Sequence, residues 1–488
     1  MVAELFKYAV KITPDHVAKD GIGASENILA VHITSLCNHI IRAGVFPQNM
    51  TQNDLIPVFK KGDNMCMDNY RGITIGSLFS KIYSAVWEKR MSVWAEDQRL
   101  RSPTQFGFRA GLGTLHNIFL LRHLVDTQRE PITQGGKGSP LYACFIDFEK
   151  AFDSAPREHI FRRLEERGVH GIALLAVKAM FEGIRVRVKC GNKRSAPFST
   201  SQGVKQGDPL SPFLFGIFVE ILHEMLEHVC PQAGIKVGTH TIFDMLYADD
   251  CTLTADTPGK LQEQLDIVKL FCQVFGMKLN VRKTEIMVFR KKDMKVPLAV
   301  WHFDGIVVKV VESAVYLGYP LYAVGTHHPW EGKLRVNGLK ASFALQGLVK
   351  KQDFYAPELQ LRLFDTLVQP VMSYGCQIWG ADYALHKKPG AALDNNLQRI
   401  HLNFLRLISG ASKHVPNVVM LHEFKAAPLV CHWLRLVLRF WNQLVENKHW
   451  LLHSVFQVNV LKAVHGLKNC WAAKVLVILV HLGGNRLP

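Results

Sequence analysis

Phe145-Ile-Asp-Phe-Glu-Lys-Ala-Phe-Asp153 follows an apolar run, Leu141–Ile146, that reads as a short buried strand ending on a carboxylate, Asp147. A second acidic stretch, Tyr247-Ala-Asp-Asp250, stands between Ile242–Tyr247 and Thr252–Ala255, which read as two strands flanking a tight hairpin turn. Adjacent carboxylates at a hairpin tip concentrate negative charge, which is costly unless cations neutralise it. Hard divalent cations want oxygen ligands, and Mg2+ typically takes one or two carboxylates plus substrate phosphate oxygens. Asp147 and Asp249 on neighbouring strands could hold two such ions about 4 Å apart, an arrangement that suits in-line displacement at phosphorus. Taken singly, an Asp-Asp pair is more often a solvated turn, and Asp147 could be the N-cap of the segment after it.

What shifts the balance is the stretch between them, Ser201-Gln-Gly-Val-Lys-Gln-Gly-Asp-Pro-Leu-Ser-Pro-Phe-Leu-Phe215. Gly203 and Gly207 let the backbone approach a ligand closely. Pro209 and Pro212 punctuate a loop that opens a strong helix pattern, Pro212–Val229. Such a loop at a helix N-terminus is a ready place for a phosphate or a base pair. A plain helix-entry loop would not need Gln206, Gly207 and Ser211 together.

Further out, helices are expected at Glu26–Ala43, Ser77–Trp94, Leu115–Arg129, within Ala151–Gly168, at Leu174–Phe181 and at Leu261–Phe275. Strands are expected at Leu55–Phe59, Val186–Cys190 and Ile286–Phe289, and Gln134–Pro140 reads as a loop. Mixed, non-repeating helices and strands indicate α+β. Beyond residue 331 the strand signal fades, and Gln360–Val368, Leu393–Ile408 and Val430–Val445 read as basic amphipathic helices.

The 488 residues carry 58 Lys+Arg against 41 Asp+Glu, a net +17, of which +11 lies from Glu331 onward. Hydrophobic residues make up 48% and mean hydropathy is near zero, which excludes intrinsic disorder and collagen-like or low-complexity scaffolds. The basic excess points to a polyanionic partner, nucleic acid before an anionic membrane surface. The ten cysteines form no Cys-x-x-Cys pair, so no zinc finger or knuckle is visible. The most apolar run, Val475–Leu482, is far shorter than the roughly 20 residues a membrane span needs. No secretory signal opens the chain, and an intracellular protein with free thiols and no membrane partner is expected.

Asp147 to Asp153, Gln206 to Phe215 and Tyr247 to Asp250 resemble, in order, the three core palm motifs of reverse transcriptases. The wider pattern resembles the non-LTR (LINE-like) retrotransposon branch. Ile56-Pro-Val-Phe-Lys-Lys-Gly-Asp63 with Asn69-Tyr-Arg-Gly-Ile-Thr74 is similar to its first fingers motif. Gln105-Phe-Gly-Phe-Arg109 with Gly113-Thr114 is similar to the second. Gly276-Met-Lys-Leu-Asn280 with Lys283-Thr284 resembles the motif after the Ala-Asp-Asp turn, and Tyr316-Leu-Gly318 the primer-grip region. Ser373-Tyr-Gly-Cys-Gln-Ile-Trp-Gly380, Leu397-Gln-Arg399 and Leu421-His-Glu-Phe-Lys-Ala-Ala-Pro-Leu429 resemble the helical extension that follows the thumb.

The resemblance implies an α+β right-hand polymerase. An N-terminal segment and fingers would cover 1–140, a ferredoxin-like palm 141–325, and a helical thumb with a basic C-terminal extension 326–488. It implies an RNA-directed DNA polymerase working with two Mg2+ ions (Mn2+ as the alternative), an RNA template, a DNA primer and dNTPs. Asp147 and Asp249 would be metal ligands, with Asp250 supporting or a second ligand. Phe152 would stand against the sugar, where a ring clashes with a ribose 2′-OH. Gln206 and Gly207 would border the nascent base pair. Lys60 or Lys61, with Arg71, could clamp the triphosphate, and Arg109 would touch template or nucleotide. Lys283 would donate a proton to pyrophosphate. For each lone Lys or Arg, a solvated surface charge is the competing reading. The basic tail would track hybrid phosphates without reading bases, and Trp379, Trp433 and Trp441 would pack in the core more readily than stack on nucleotides.

Gly72 stands where many relatives have Pro. Neither an apurinic-type endonuclease before Lys60, a Cys-Cys-His-Cys knuckle after Tyr374, nor an RNase H pattern is visible, so the polymerase portion of an element is expected. An intron-encoded maturase and a decayed or domesticated RNA-binding copy are the rival readings. The expected location is the nucleus at the integration target or the cytoplasm with element RNA, and the sequence carries no signal of oligomeric state.

Overall fold

Leu141–Ile146, apolar at every position, is the central strand of a five-stranded sheet in the computed structural model. The structure describes residues 28–130, 138–324, 328–386, 395–447, 449–467 and 469–483. The sheet order is Lys309–Val310, Glu285–Phe289, Leu141–Ile146, Asp250–Ala255, Asp244–Tyr247. Both neighbours of the central strand run antiparallel to it. Successive side chains of a strand point to opposite faces. Tyr142, Cys144 and Ile146 accordingly enter one core with Phe213, Phe218 and Phe271, under helices Ser211–Val229 and Pro258–Phe275. Leu141 and Ala143 enter another with Phe119, Leu124 and Trp433, behind helix Thr114–Arg129.

The helices that carry this packing begin and end where local chemistry dictates. Thr257 caps Pro258–Phe275 through its side chain, and Gly276 at φ +65° ends it. Ser77 caps Leu78–Asp97 in the same way. Pro212 sits in the first turn of Ser211–Val229, where a missing N–H costs nothing.

A second sheet pairs Gln52–Phe59 antiparallel with Tyr70–Ile75 and parallel with Arg185–Cys190. The strand Tyr70–Ile75 carries no sequence expectation of its own; it forms because its backbone completes the ladder with Gln52–Phe59. The single strand expected at Ile242–Tyr247 is two. His240–Ile242 pairs with Ile235–Val237, and Asp244–Tyr247 pairs with Asp250–Ala255. The start of the helix expected from Glu26, and most of the Gln134–Pro140 loop, lie outside the described residues; the helix is described over Ile28–Ala43.

Among the described residues, strands end with Tyr319–Tyr322 and every later element is helical. The three expected tail helices are Pro357–Leu367, Asn396–Ser409 and Leu429–Glu446. His328–Lys351, Trp450–Val464 and Trp471–His481 add to them. Trp379, Trp433 and Trp441 are buried, so they pack rather than stack on a nucleic acid. The tail shares its core with the central strand and the helix behind it: Leu141 and Ala143 lie in the same core as Trp433, and Phe119 lies edge-on to Phe440 and to Trp471. Among the described residues no helix is long and apolar enough to cross a membrane.

Candidate active site

The hairpin Asp244–Tyr247/Asp250–Ala255 turns through only Ala248 and Asp249, with Ala248 in the left-handed region at φ +60°. Pairing of Cys251 with Ile146 places Asp250 directly across from Asp147, one step further along the register. Asp147, Asp249 and Asp250 therefore gather at one end of the palm sheet. Asp249 bears electrostatically on Asp147 and Asp250, and Asp147 on Asp250. The surrounding protein desolvates Asp250, and Asp249 and then Asp147 repel its charge, so its pKa is pushed up to about 6. Asp250 remains more than a third exposed, so water screens part of that repulsion. Desolvation also raises the Asp147 pKa, with Lys283 opposing and Asp249 adding to the rise.

The segment after helix Pro258–Phe275 braces Asp147. The Asn280 N–H donates to the Asp147 carbonyl (2.8 Å), and the Asp147 N–H donates to Thr284 Oγ1 (3.3 Å). Lys283 Nζ stands 3.8 Å from Asp147 Oδ2 on an exposed side chain, so it faces the acidic centre. The turn Leu317-Gly318, with both residues at positive φ, lies on the same side, where the Tyr316 ring packs at 5.3 Å from Phe145.

The Gly-rich loop is knitted to both lobes. The Thr74 N–H donates to the Gln206 carbonyl (2.7 Å), and the Val204 N–H donates to the Phe152 carbonyl (2.8 Å). Gly207, at φ +107°, lies where a Cβ would stand 3.0 Å from the Thr74 carbonyl oxygen. Gly203, at φ +80°, is more constrained still: a Cβ there would stand 2.4 Å from the Asp153 carbonyl oxygen. Asp208 accepts from Ser84 Oγ and from the Leu210 N–H (3.1 Å), with Lys205 Nζ at 3.6 Å. These contacts fix the entry of helix Ser211–Val229.

Phe152 is half-buried and held flat on Phe215, with ring centroids 4.4 Å apart, and edge-on to Phe108 at 6.3 Å. Its ring is thus rigid at the mouth of the cleft. Gln206 Nε2 donates to Asp153 Oδ2 (3.3 Å). Desolvation raises the Asp153 pKa, while Lys150, Lys60 and Arg71 act against the rise. Lys60 also bears on Asp147, and Arg71 on Asp250, so both face the acidic centre from the fingers. Lys61 is exposed in the same turn as Lys60. Asp153 closes the first acidic motif, and its contact with Gln206 ties that motif to the Gly-rich loop.

Arg109 departs from expectation. Its guanidinium is spent inside the protein, donating from Nε and Nη2 to Glu96 (2.8 and 2.6 Å) and from Nη1 to the Ser102 and Gln105 carbonyls (2.8 and 3.0 Å). With its side chain 8% exposed, it braces a strap rather than reaching into the cleft. That strap lies under the Asp-Asp hairpin: the Phe106 N–H donates to the Leu246 carbonyl, and the Leu246 N–H donates to the Thr104 carbonyl (both 2.9 Å). The missed partner is Glu96, which no motif marks.

Three carboxylates at one sheet end are the donor set a hard cation takes. Among the described residues no three His, Cys, Asp or Glu side chains are placed to hold a metal ion together. Mg2+ needs no such cage, because it completes its shell with waters and substrate phosphates. The mutual repulsion at Asp250 is what a bound cation would relieve. The residues fit the group.

Residues 58–321 match the family described as "Reverse transcriptase (RNA-dependent DNA polymerase)", and the chain belongs to that family. The "Probable RNA-directed DNA polymerase from transposon BS" of Drosophila melanogaster is 23% identical over 395 residues, 79% of this chain and 42% of that protein. A "Retrovirus-related Pol polyprotein from type-1 retrotransposable element R2" of Popillia japonica is 29% identical over 248 residues, 50% of this chain and 33% of that protein. The chain thus spans less than half the length of these relatives. Telomerase from Candida Tropicalis, solved with a fragment of telomeric RNA, aligns over 88% of this chain and 70% of its own at 12% identity and a TM-score of 0.41.

Proposed function

We propose that the chain is the polymerase portion of a non-LTR retrotransposon protein and that it acts as an RNA-directed DNA polymerase. The observation that carries this reading is the register that sets Asp147 opposite Asp250, beside the Asp249 turn. The family match supports it.

Asp147 and Asp249 would hold divalent cations, Mg2+ first, with Asp250 adjoining. Such ions activate an attacking hydroxyl and stabilise a leaving pyrophosphate. The chain's own residues do the rest. Lys60 and Arg71 draw the triphosphate of a dNTP from the fingers side. Gln206 and Gly207 border the base pair formed with an RNA template. The rigid Phe152 ring excludes a ribose 2′-OH. Lys283, whose Nζ lies 3.8 Å from Asp147 Oδ2, would hand a proton to the departing pyrophosphate.

The test is extension of a DNA primer on an RNA template by purified protein with Mg2+. Wild-type protein should incorporate dNTPs, and Asp249→Asn should lose more than about a hundredfold of that activity. Wild-type incorporation no greater than that of Asp249→Asn would refute the reading.

A further inference from the structure

A cavity of about 380 Å³ opens between helix Thr114–Arg129, the segment after strand Glu285–Phe289, and the last two helices. Seven cationic side chains and two acids line it. Three of the cations have carboxylate partners: Arg122 with Asp126, Arg290 with Glu312, and Lys474 with Asp382. The remainder, Arg129, Lys291, Lys292 and Lys462, face one further acid, Glu130. The cavity therefore holds a positive excess that the protein does not balance.

Two of these cations are built into the wall. Lys462 is 2% exposed, yet its ammonium donates to the neutral Thr127 hydroxyl (2.7 Å) and not to a carboxylate. Arg129 donates from Nη2 to the Ala323 carbonyl (3.0 Å), and its Nε is buried without a partner. Asp126 and Glu130 act on Lys462, and Asp126 on Arg129, without a direct carboxylate contact to either, so the wall keeps a positive excess that an anion completes. Lys291 and Lys292 are exposed at the rim. The positive charge thus runs from the interior outward as a track.

The location separates this cavity from the polymerising centre. Strand Glu285–Phe289 runs antiparallel to Leu141–Ile146, pairing Phe289 with Leu141 at the end away from Asp147. Six residues of strand at about 3.3 Å each set the two sites roughly 20 Å apart. An incoming nucleotide held at Asp147 cannot fill it. Asn469, a lining residue able to read a base edge, is committed to Glu130 (2.9 Å). The chemistry on offer is phosphate recognition without base readout.

We propose that this cavity is a second nucleic-acid site, which takes backbone phosphates of the RNA template where it runs beyond the polymerising cleft. The choice of RNA rests on the polymerase reading, because a copied strand must continue past the centre that copies it. A seam of palm, fingers helix and C-terminal helices held by one RNA strand would also tie the tail to the catalytic sheet.

The test uses the full chain, the double variant Lys291→Glu/Lys292→Glu, and Lys462→Met as the interior variant. Binding of a labelled single-stranded RNA is measured across salt concentrations, beside single-nucleotide addition on a short template–primer hairpin. The rim variant, with an unchanged melting temperature, should bind RNA about tenfold more weakly, and its log–log salt slope should fall by about 1.4, two phosphate contacts' worth. Inorganic pyrophosphate without metal should raise the melting temperature of wild-type protein and not that of the rim variant. Unchanged RNA affinity and slope would overturn the proposal, as would pyrophosphate stabilisation without any RNA effect. Nucleotide addition on the short hairpin should be unaffected in the rim variant. Failure of wild-type protein on that hairpin would count against the polymerase reading, leaving RNA affinity to judge the cavity.

Discussion

Gly107 packs against Ala248 so closely that a Cβ on Gly107 would stand 2.4 Å from the Ala248 backbone nitrogen. The second fingers motif thus supports the acidic turn from below, backbone against backbone. Gly107→Ala must push the Ala248-Asp249 turn away, since backbone cannot swing aside as a side chain does. The expected cost is about 1–3 kcal/mol of stability, together with a loss of polymerase activity larger than the melting shift alone explains. Thermal melts and primer extension on Gly107→Ala measure both; a fully active variant would show that the turn tolerates displacement.

Arg109 gives a sharper contrast. If it holds the strap in place, Arg109→Lys loses the fork to Glu96 and the two carbonyl bonds, although the charge stays. Stability should fall by about 1–3 kcal/mol and kcat should drop, while KM for the dNTP stays within about twofold. A direct contact with nucleotide would instead raise KM. Steady-state kinetics separate the two outcomes.

Phe152 stacks on Phe215 and presents a fixed ring to the cleft. Phe152→Val removes that bulk, so the preference for dNTPs over rNTPs should narrow by about 10- to 200-fold. The ratio of kcat/KM for the two nucleotide types is the measurement. An unchanged ratio would move the discrimination to another residue.

Behind the turn, buried His223 lies 2.6 Å from Asp244, which also accepts from Thr104 Oγ1 (3.1 Å). Burial opposes the charge on His223, but Asp244 outweighs it and its pKa is pushed up to about 9. The folded value lies above the ordinary histidine value of 6.5, so this pair's stabilisation is fully present below about pH 6.5. It is lost as pH rises through about 9, to the extent of at most about 3 kcal/mol. Melting curves from pH 6 to 10 should show a decline that His223→Gln lacks. Parallel curves for the two proteins would assign the decline elsewhere.

The palm was legible in the sequence because its parts are local. Leu141–Ile146 forms the strand expected over those same residues, and Tyr247–Asp250 forms its hairpin turn, since apolar runs and turn residues each act within a few positions. Arg109 was not legible, because its partner Glu96 and the carbonyls it holds are set by tertiary packing. Tyr70–Ile75 was missed for a similar reason: its pairing with Gln52–Phe59, not its own periodicity, makes it a strand. The basic cavity is assembled from segments more than three hundred residues apart, and no local pattern announces it.

The shared core has a temporal consequence. His123 and Thr127, on the helix that backs the catalytic strand, are hydrogen-bonded to Asn459 and Lys462, which follow them by 336 and 335 residues. A ribosome adding about 5–20 residues per second needs on the order of 20–70 s to make the intervening chain. During that interval helix Thr114–Arg129, which backs Leu141–Ile146, lacks the C-terminal helices that pack on it. We predict that ribosome-bound chains ending before residue 450 remain protease-sensitive through Thr114–Ile146, and that protection arrives only with the last two helices. Early protection of that segment would mean that the catalytic strand folds without them.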